Sequence, residues 1–200
     1  MFQHNKYSIR IAFLGPKGSY SYIAAKKYSA QYFNNGIEYN SCQKFADIIQ
    51  VVEKGDAEYG ILPIENSTSG FIDEVYDLLK HTNTSLIEEI IIPIKHYLLT
   101  NTTNIKFNTI QKIYSHPQPL LQCSNIITRF PRQNIVHCTS TSDAIKTVAK
   151  LNIPTIAALG SKFGGILYGL KTLKLNINND TYNTTRFVVI GYKHNKHNTS

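Results

Sequence analysis

No stretch of this 200-residue chain approaches the run of about 20 apolar residues that a membrane-spanning helix requires. Its polar first ten residues pass directly into a strand-like segment, which leaves no room for the apolar core of a signal peptide. Cysteine is scarce. Cys42, Cys123 and Cys138 are odd in number and show neither CxxC nor metal-like spacing, so reduced, buried thiols in a cytoplasmic protein are expected. Arginine is scarce for so basic a chain: only Arg10, Arg129, Arg132 and Arg186 occur against a net charge of +8. Because Arg leads base and phosphate recognition, this speaks against nucleic-acid binding. Neither a GxGxxG nor a P-loop is present, so no nucleotide is inferred. Acidic residues all but vanish from the second half. Residues 1–89 hold 8 Lys/Arg against 11 Asp/Glu, whereas residues 90–200 hold 13 against Asp143 and Asp180 alone. Such a basic half can attract nucleic acid or steer a small polyanion into a cleft; a drift towards Lys- and Asn-rich coding gives the same imbalance.

What is present suits one soluble domain or two small lobes, with 42% hydrophobic and 17% charged residues. An apolar strand over 8–14 ends at Gly15-Pro16. Residues 19–33 turn helical, with Ile23, Ala24, Lys27, Tyr28 and Gln31 on i, i+3, i+4 steps. Phe45, Ile48, Ile49 and Val52 form a second helical stripe closed by Gly55. Further strands are predicted at 59–62, 109–114, 134–138, 155–159 and 186–190, with helices at 75–79, 120–129, 142–149 and 162–168. Residues 86–99 form a long extended run broken by Pro93, suited to carrying the chain from one lobe to another. The alternation predicts parallel sheet built from βαβ units. There is no internal repeat, and the His-, Asn- and Lys-rich tail 193–200 is expected to be disordered.

Polar clusters punctuate this frame, and in an alternating α/β fold polar residues at the carboxyl ends of strands face the ligand crevice. Gly15-Pro16-Lys17-Gly18-Ser19-Tyr20-Ser21 offers two glycines for a tight turn and Ser19 or Ser21 as a helix cap. Free amides there suit an anion, but such a turn serves structure equally well. In Pro63-Ile64-Glu65-Asn66-Ser67, turn and cap roles account for Asn66 and Ser67 but not for Glu65. Ser115-His116-Pro117-Gln118 contains a histidine that titrates near neutrality. A lone His before Pro is more often a hydrogen-bonded turn residue, and His116 is read as structural. Ser140-Thr141-Ser142-Asp143 would cap a helix in any protein, and the same geometry offers hydroxyls and amides to a carboxylate. Asn183-Thr184-Thr185-Arg186-Phe187 holds one of the rare arginines, either a fork for a carboxylate or a salt bridge between lobes.

The clusters at 15–21, 63–67, 115–118 and 185–187, in this order and spacing, resemble the signature set of the prephenate dehydratases, and the likeness spans residues 9–192. It is nearest to the dehydratase segment of the bifunctional chorismate mutase–prephenate dehydratase proteins. The resemblance implies an α/β fold of two lobes similar to the type 2 periplasmic binding proteins, with the ligand cleft between lobes. One lobe would take about 8–85 with 175–192, the other about 96–172. It implies decarboxylative dehydration of prephenate to phenylpyruvate in L-phenylalanine biosynthesis. The family pattern puts Glu65, Asn66, Ser115, Gln122, Thr185, Arg186 and Phe187 in the active site, Thr185 and Glu65 as the catalytic candidates. The chemistry of the clusters adds Ser67, Ser19, Ser21 and Thr141 as candidate substrate ligands.

Loss of carbon dioxide and hydroxide makes the ring aromatic, so the implied reaction is downhill and calls for no cofactor and no metal. The protein must hold a dianion, hydrogen-bond the leaving hydroxyl and desolvate the ring carboxylate. A threonine hydroxyl is far too weak an acid to act alone; Glu65, if protonated in a buried cleft, is a better proton source. Thr185 as acid, Thr185 as positioner of Glu65 or water, and substrate-assisted protonation all stay open. The bifunctional relatives carry a mutase segment in front and an ACT domain behind. With about eight residues before the first strand and about ten after the last, neither mutase activity nor phenylalanine feedback is expected. Homodimer formation and a separate mutase or ACT partner chain stay open. A solute-binding module shares the fold but has no need of Thr185-Arg186-Phe187. Arogenate dehydratase, whose substrate differs by a side-chain amine, is the enzymatic alternative.

Overall fold

The computed structural model describes residues 8–192 and divides them into two compact units. Unit 1 takes Ser21–Ile92 with the flanking residues 8–15 and 184–192; unit 2 takes Pro16–Tyr20 and Pro93–Asn183. The tail expected to be disordered, 193–200, lies outside the described residues.

In unit 1 the chain runs through β1 (Ile9–Leu14), α1 (Tyr20–Tyr32), β2 (Ile37–Cys42), α2 (Phe45–Glu53), β3 (Tyr59–Asn66), β4 (Gly70–Phe71), α3 (Asp73–Lys80) and β5 (Thr84–Pro93). The last strand, β11 (Thr184–Tyr192), returns to the same sheet, whose order is β2-β1-β3-β11-β5 with β4 on β3. Ile11, Ala12 and Phe13 are fully buried, the mark of a strand covered on both faces. On one face the predicted stripe of α2, Ile48, Ile49 and Val52, packs with Ala12, Leu62, Val188 and Ile190. Gly60 makes that approach feasible: a Cβ there would stand 2.7 Å from Ile48 Cγ2 and 2.9 Å from Ile190 Cγ1. Elsewhere in the unit α1 contributes aromatic packing, Tyr22 against Phe13 and Tyr28 against Tyr59, with ring centroids 5.1 and 5.2 Å apart.

The expectation of a parallel sheet holds for only part of the unit. β1 is parallel to β2 and β3, but β11 runs antiparallel to β3. Apolar patterning reports which faces are covered and carries no information on strand direction. The β3–β11 ladder also contains a β-bulge. Phe187 pairs with Pro63 and Arg186 with Glu65, which leaves Ile64 without a residue opposite it. Pro63 has no N–H to give a ladder, and bulges are where sheets tolerate proline. The Ile64 carbonyl is used instead by the Ile72 amide, at 3.0 Å.

Unit 2 contains β6 (Tyr97–Thr100), β7 (Lys112–Ser115), α4 (Pro117–Gln122), α5 (Ser124–Ile127), β8 (Ile135–His137), α6 (Thr141–Leu151), β9 (Ile156–Gly160), α7 (Lys162–Leu167) and β10 (Lys171–Lys174). Its order is β10-β6-β9-β7-β8; β7 is parallel to β8 and β9, whereas β6 is antiparallel to β9 and β10. The helix predicted over 120–129 is two short helices, because the backbone at Cys123 (φ −121°, ψ 21°) leaves the helical path. Ala144, Ile145 and Val148 of α6 pack with Leu99, Ile156 and Ala158. Residues 16–20 join this unit through α7 and its flanks. Ser161 Oγ donates to the Gly18 carbonyl at 3.2 Å, and the Tyr168 hydroxyl to that of Lys17 at 3.0 Å. Gly18 (φ +96°) is needed there, since a Cβ would also press on Gly164 Cα at 3.3 Å. No helix among the described residues is long and apolar enough to cross a membrane.

Candidate active site

The bulge in β3 decides which side chains meet at the end of the β3–β11 pair. In an unbroken ladder Glu65 would face Thr185; the extra residue puts Glu65 opposite Arg186 and Asn66 opposite Thr185. Thr185 stands at the start of β11, not at the carboxyl end of a strand as expected, and the antiparallel pairing carries it to the carboxyl end of β3.

Asn66 is buried, and its side chain is oriented by its neighbours. Oδ1 accepts from the Thr68 and Ser69 amides, both at 3.1 Å, and from the Thr68 hydroxyl at 2.7 Å. Backbone N–H groups only donate, so these two bonds fix which end of the amide is oxygen. Nδ2 then donates to the Thr184 carbonyl at 3.0 Å and to Thr185 Oγ1 at 2.9 Å. Thr185, 8% exposed, thus has an acceptor role already filled, and its own O–H is left to donate elsewhere. Ser67 braces the same corner: its amide donates to the Thr184 carbonyl and its Oγ accepts from the Thr184 amide, each at 2.9 Å.

Glu65 and Arg186 lie on the other face of this strand pair, because successive side chains along β11 alternate. Val188 and Ile190, in phase with Arg186, pack against α2, whereas Thr185 and Phe187 occupy the opposite phase. Arg186 Nη2 is 2.7 Å from Glu65 Oε2, and Nη1 is 3.5 Å from Glu89 Oε2. Both partners belong to unit 1. An open pocket of about 290 Å³ beside them is lined by Glu65, Ser67, Ile91, Thr184 and Arg186. Arg186 Nε is buried without a hydrogen-bond partner. Phe187, 2% exposed, is packed inside the unit as a core side chain.

In unit 2, Ser115 closes β7 fully buried, and its hydroxyl donates to the His116 carbonyl at 3.0 Å. His116 is the N-cap of α4, its Nδ1 accepting from the Gln118 amide at 3.2 Å. Burial, and then the nearby His137, hold the His116 pKa below the ordinary histidine value. Gln122, the last residue of α4, meets a residue that the sequence reading passed over: His96 Nε2 lies 2.9 Å from Gln122 Oε1. His96 is 1% exposed, and burial holds its pKa below the ordinary value although the Gln122 bond opposes the shift. A signal was available. Ile90, Ile92, Ile94, His96 and Leu98 are all buried at a period of two, which puts the histidine in the inward phase.

Thr141 is the half-buried first residue of α6, whose cap is Ser140, accepting from the Asp143 amide at 3.0 Å. Its neighbour Ser142 is fully buried with no hydrogen-bond partner for its hydroxyl. Ser19 precedes α1 and Ser21 is buried in its first turn; the two fall in different units. The structure therefore gathers Asn66, Ser67 and Thr185 in one cluster, Glu65 with Arg186 in a second, and Gln122 with His96 in a third. Among the described residues no group of three or more His, Cys, Asp or Glu side chains could hold a metal ion.

Unit by unit, this is an α/β protein whose strand ends carry oriented neutral donors, a class suited to small polar ligands. The family model of prephenate dehydratase matches residues 11–195. The bifunctional chorismate mutase/prephenate dehydratase of Escherichia coli (strain K12) is 50% identical over 189 residues, which cover 94% of this chain and 48% of that protein. The chain thus spans about half the length of the curated relatives it matches. Among solved structures, the prephenate dehydratase from Staphylococcus aureus subsp. aureus Mu50 aligns with a TM-score of 0.77 and 27% identity, over 92% of this chain and 67% of that one. GqqA, described as a novel type of quorum quenching acylase, aligns with a TM-score of 0.77 and 28% identity, over 92% and 64%. The chain belongs to the prephenate dehydratase family.

Proposed function

We propose that this chain converts prephenate to phenylpyruvate, with Thr185 as the hydrogen-bond donor to the departing hydroxyl, as a step of L-phenylalanine biosynthesis. The observation that carries the reading is the direction of the bonds at Thr185. Asn66, held by the Thr68 and Ser69 amides, gives a hydrogen to Thr185 Oγ1, so the threonine cannot spend its own O–H on Asn66 and keeps it to donate to a ligand. In the reaction the ring carboxylate leaves as carbon dioxide and its bonding pair enters the ring. The C4–oxygen bond breaks as the ring becomes aromatic. One proton taken up by the departing hydroxide balances the change from prephenate dianion to phenylpyruvate monoanion, carbon dioxide and water.

A donor oriented before the reaction towards developing oxyanion charge costs no reorganisation when that charge appears. Glu65, paired with Arg186 on the opposite face, takes the role of a brace in this reading, and water delivers the proton. Ser115, Gln122, Thr141, Ser19 and Ser21 remain candidate ligands of the two carboxylates. The basic composition of unit 2 favours a dianionic substrate. Acyl transfer, the chemistry that the GqqA likeness raises, needs a nucleophile with a base to take its proton. Thr185 faces an amide N–H instead, which favours the dehydratase reading.

The test is an assay of the purified chain with prephenate, with arogenate and with an acyl amide, each with and without a metal chelator. Phenylpyruvate formation, unaffected by the chelator, is the expected result. A folded chain that leaves prephenate untouched, or that turns over only arogenate or only the amide, overturns the proposal.

A further inference from the structure

We infer that Arg186 is a positioning residue that selects the bulged register of β3, and through it the partner of Thr185, by pairing with Glu65 on one neighbouring strand and Glu89 on the other. The inference rests on the proposed reaction only in giving the Thr185 hydroxyl a task. β11 lies between β3 and β5 in the sheet of unit 1, and the Arg186 guanidinium reaches towards both neighbours. Nη2 is 2.7 Å from Glu65 Oε2 and Nη1 is 3.5 Å from Glu89 Oε2. The rigid fork of a guanidinium presents separate donors to two carboxylates at once, which makes Arg suited to joining three strands.

The bulge is where a choice of register exists. From Phe187 onward the ladder is pinned by the core: Val188 stands opposite Leu62 and Ile190 opposite Gly60, and both apolar side chains pack against α2. That frame is the same whether or not β3 bulges at Ile64, because a bulge shifts only the pairs beyond it. In an unbroken ladder Arg186 would stand opposite Ile64, Glu65 opposite Thr185 and Asn66 opposite Thr184. Ile64 is 5% exposed, and Arg186 Nε is already buried without a partner among the described residues. A guanidinium facing Ile64 would lose its counter-charge where only part of it meets water. The bulge removes that conflict by setting Glu65 against Arg186, and the next residue, Asn66, then falls opposite Thr185. Pro63 tolerates the bulge and the Ser67 bonds to Thr184 brace it, but neither of these involves charge. A fork engaged by Glu65 and Glu89 acts on the strands themselves, a role distinct from clamping a substrate carboxylate.

The test combines kinetics with a direct reading of the register. Arg186→Met, which keeps an aliphatic side chain but removes the fork, is expected to lower kcat for prephenate by up to about 10²-fold, the scale for misplacing a catalytic group, with KM nearly unchanged. Arg186→Lys, which keeps a cation for Glu65, should recover most of the loss. In a Thr185→Ala background Arg186→Met should add nothing further to the fall in kcat. A raised KM at unchanged kcat would mark a substrate clamp, and that result, or an equal penalty in the Thr185→Ala background, overturns the inference. Nuclear Overhauser contacts read the same point independently of turnover. The unaltered chain should show a cross-peak between the Asn66 side-chain NH₂ and the Thr185 methyl. Arg186→Met should lose it while keeping the contact between Val188 and Leu62. Should Arg186→Met not fold, Glu65→Gln removes the same ion pair at nearly constant shape and should lose the same cross-peak. An Asn66–Thr185 cross-peak of full strength in a folded variant of either kind sinks the register lock. A chain inactive on prephenate whose cross-peak still depends on Arg186 would refute the proposed reaction and leave the lock standing.

Discussion

Unit 1 and unit 2 share an architecture, a mixed sheet with helices packed on it, yet they treat charge in opposite ways. Unit 1 carries 7 Lys/Arg against 11 Asp/Glu among its described residues and sets three of these cations against acids, Arg10 against Glu58, Arg186 against Glu65 and Lys80 against Asp77. Unit 2 carries 11 Lys/Arg against 2 Asp/Glu, so most of its cations have no acid in the unit to meet. The polar groups singled out in the two units differ as well. In unit 1 a neutral hydroxyl is oriented by an amide; in unit 2 a buried histidine ring lies within hydrogen-bond distance of a glutamine amide. The difference separates two properties that the proposed reaction calls for: unit 1 holds an oriented neutral donor, and the composition of unit 2 favours an anionic ligand.

The largest effect expected is at Thr185. Thr185→Ala should lower kcat by about 10²–10³-fold with the circular dichroism spectrum unchanged, the scale for losing one preorganised donor. A kcat near wild type would break the comparison at its strongest point. Asn66→Asp sharpens it. The new carboxylate can still accept from the Thr68 and Ser69 amides, but it would take the Thr185 hydrogen instead of giving one. The loss in kcat should approach that of Thr185→Ala, about 10²-fold, whereas a merely structural Asn66 would show its effect in Tm alone. Ionic strength probes the other unit. Between about 0.05 and 0.5 M salt, kcat/KM for prephenate should fall by roughly threefold to tenfold, since the screening length drops to a few ångströms. A flat salt profile would remove the steering role of unit 2.

The smallest effect is one of stability against pH, and it separates the units by order. In unit 2, burial holds the pKa of His96 and His116 below the ordinary value, so the unfolded chain takes up protons first as the pH drops. The stability of that unit should decline from about pH 6.5 downward. In unit 1, desolvation works against the Glu58 carboxylate, but its bonds to Arg10 outweigh it; Glu53 is stabilised by the Asn83 amide and the Thr82 hydroxyl. Both pKa values are lowered, so this contribution is intact above about pH 4.3 and lost below it. Hydrogen exchange read by mass spectrometry, corrected for intrinsic rates, should show unit 2 loosening first. The reverse order would contradict the assignment.

Much of this frame was legible because burial writes itself into the pattern of side chains. The strand at 9–14 and the helices at 45–53 and 141–151 follow apolar spacing that the sequence displays openly, whereas the helix at 20–32 was found on a stripe whose Lys27 and Gln31 are exposed and buries Tyr22, Ala25 and Ser29 as well as Ala24 and Tyr28. Strands β2 and β10 were missed since they are sheet edges, where Ile37–Cys42 and Lys171–Lys174 carry polar residues and no apolar run. The antiparallel course of β11 depends on a partner more than a hundred residues away, which no local window can see. The same holds for the bulge, whose effect is to swap the residue facing Thr185. The motifs were found, but the opposed faces of Glu65 and Thr185 could be read only from the register.

The place of β11 has a consequence for how the chain comes into being. Between β3 and β5 in the sheet of unit 1 lies a strand made of Thr184–Tyr192, the last described segment to leave the ribosome. Every strand of unit 2 has been synthesised before it, so unit 2 can close its sheet while unit 1 still has a gap beside β3. Until residues 184–192 arrive, β3 presents an open edge of unpaired backbone, the kind of surface that invites mispairing. A nascent chain stalled before residue 184 should hold unit 2 in a protease-resistant state and leave unit 1 sensitive. The hydroxyl on which the proposed chemistry depends is delivered by the closing strand itself, so catalytic competence and completion of the sheet arrive in a single event.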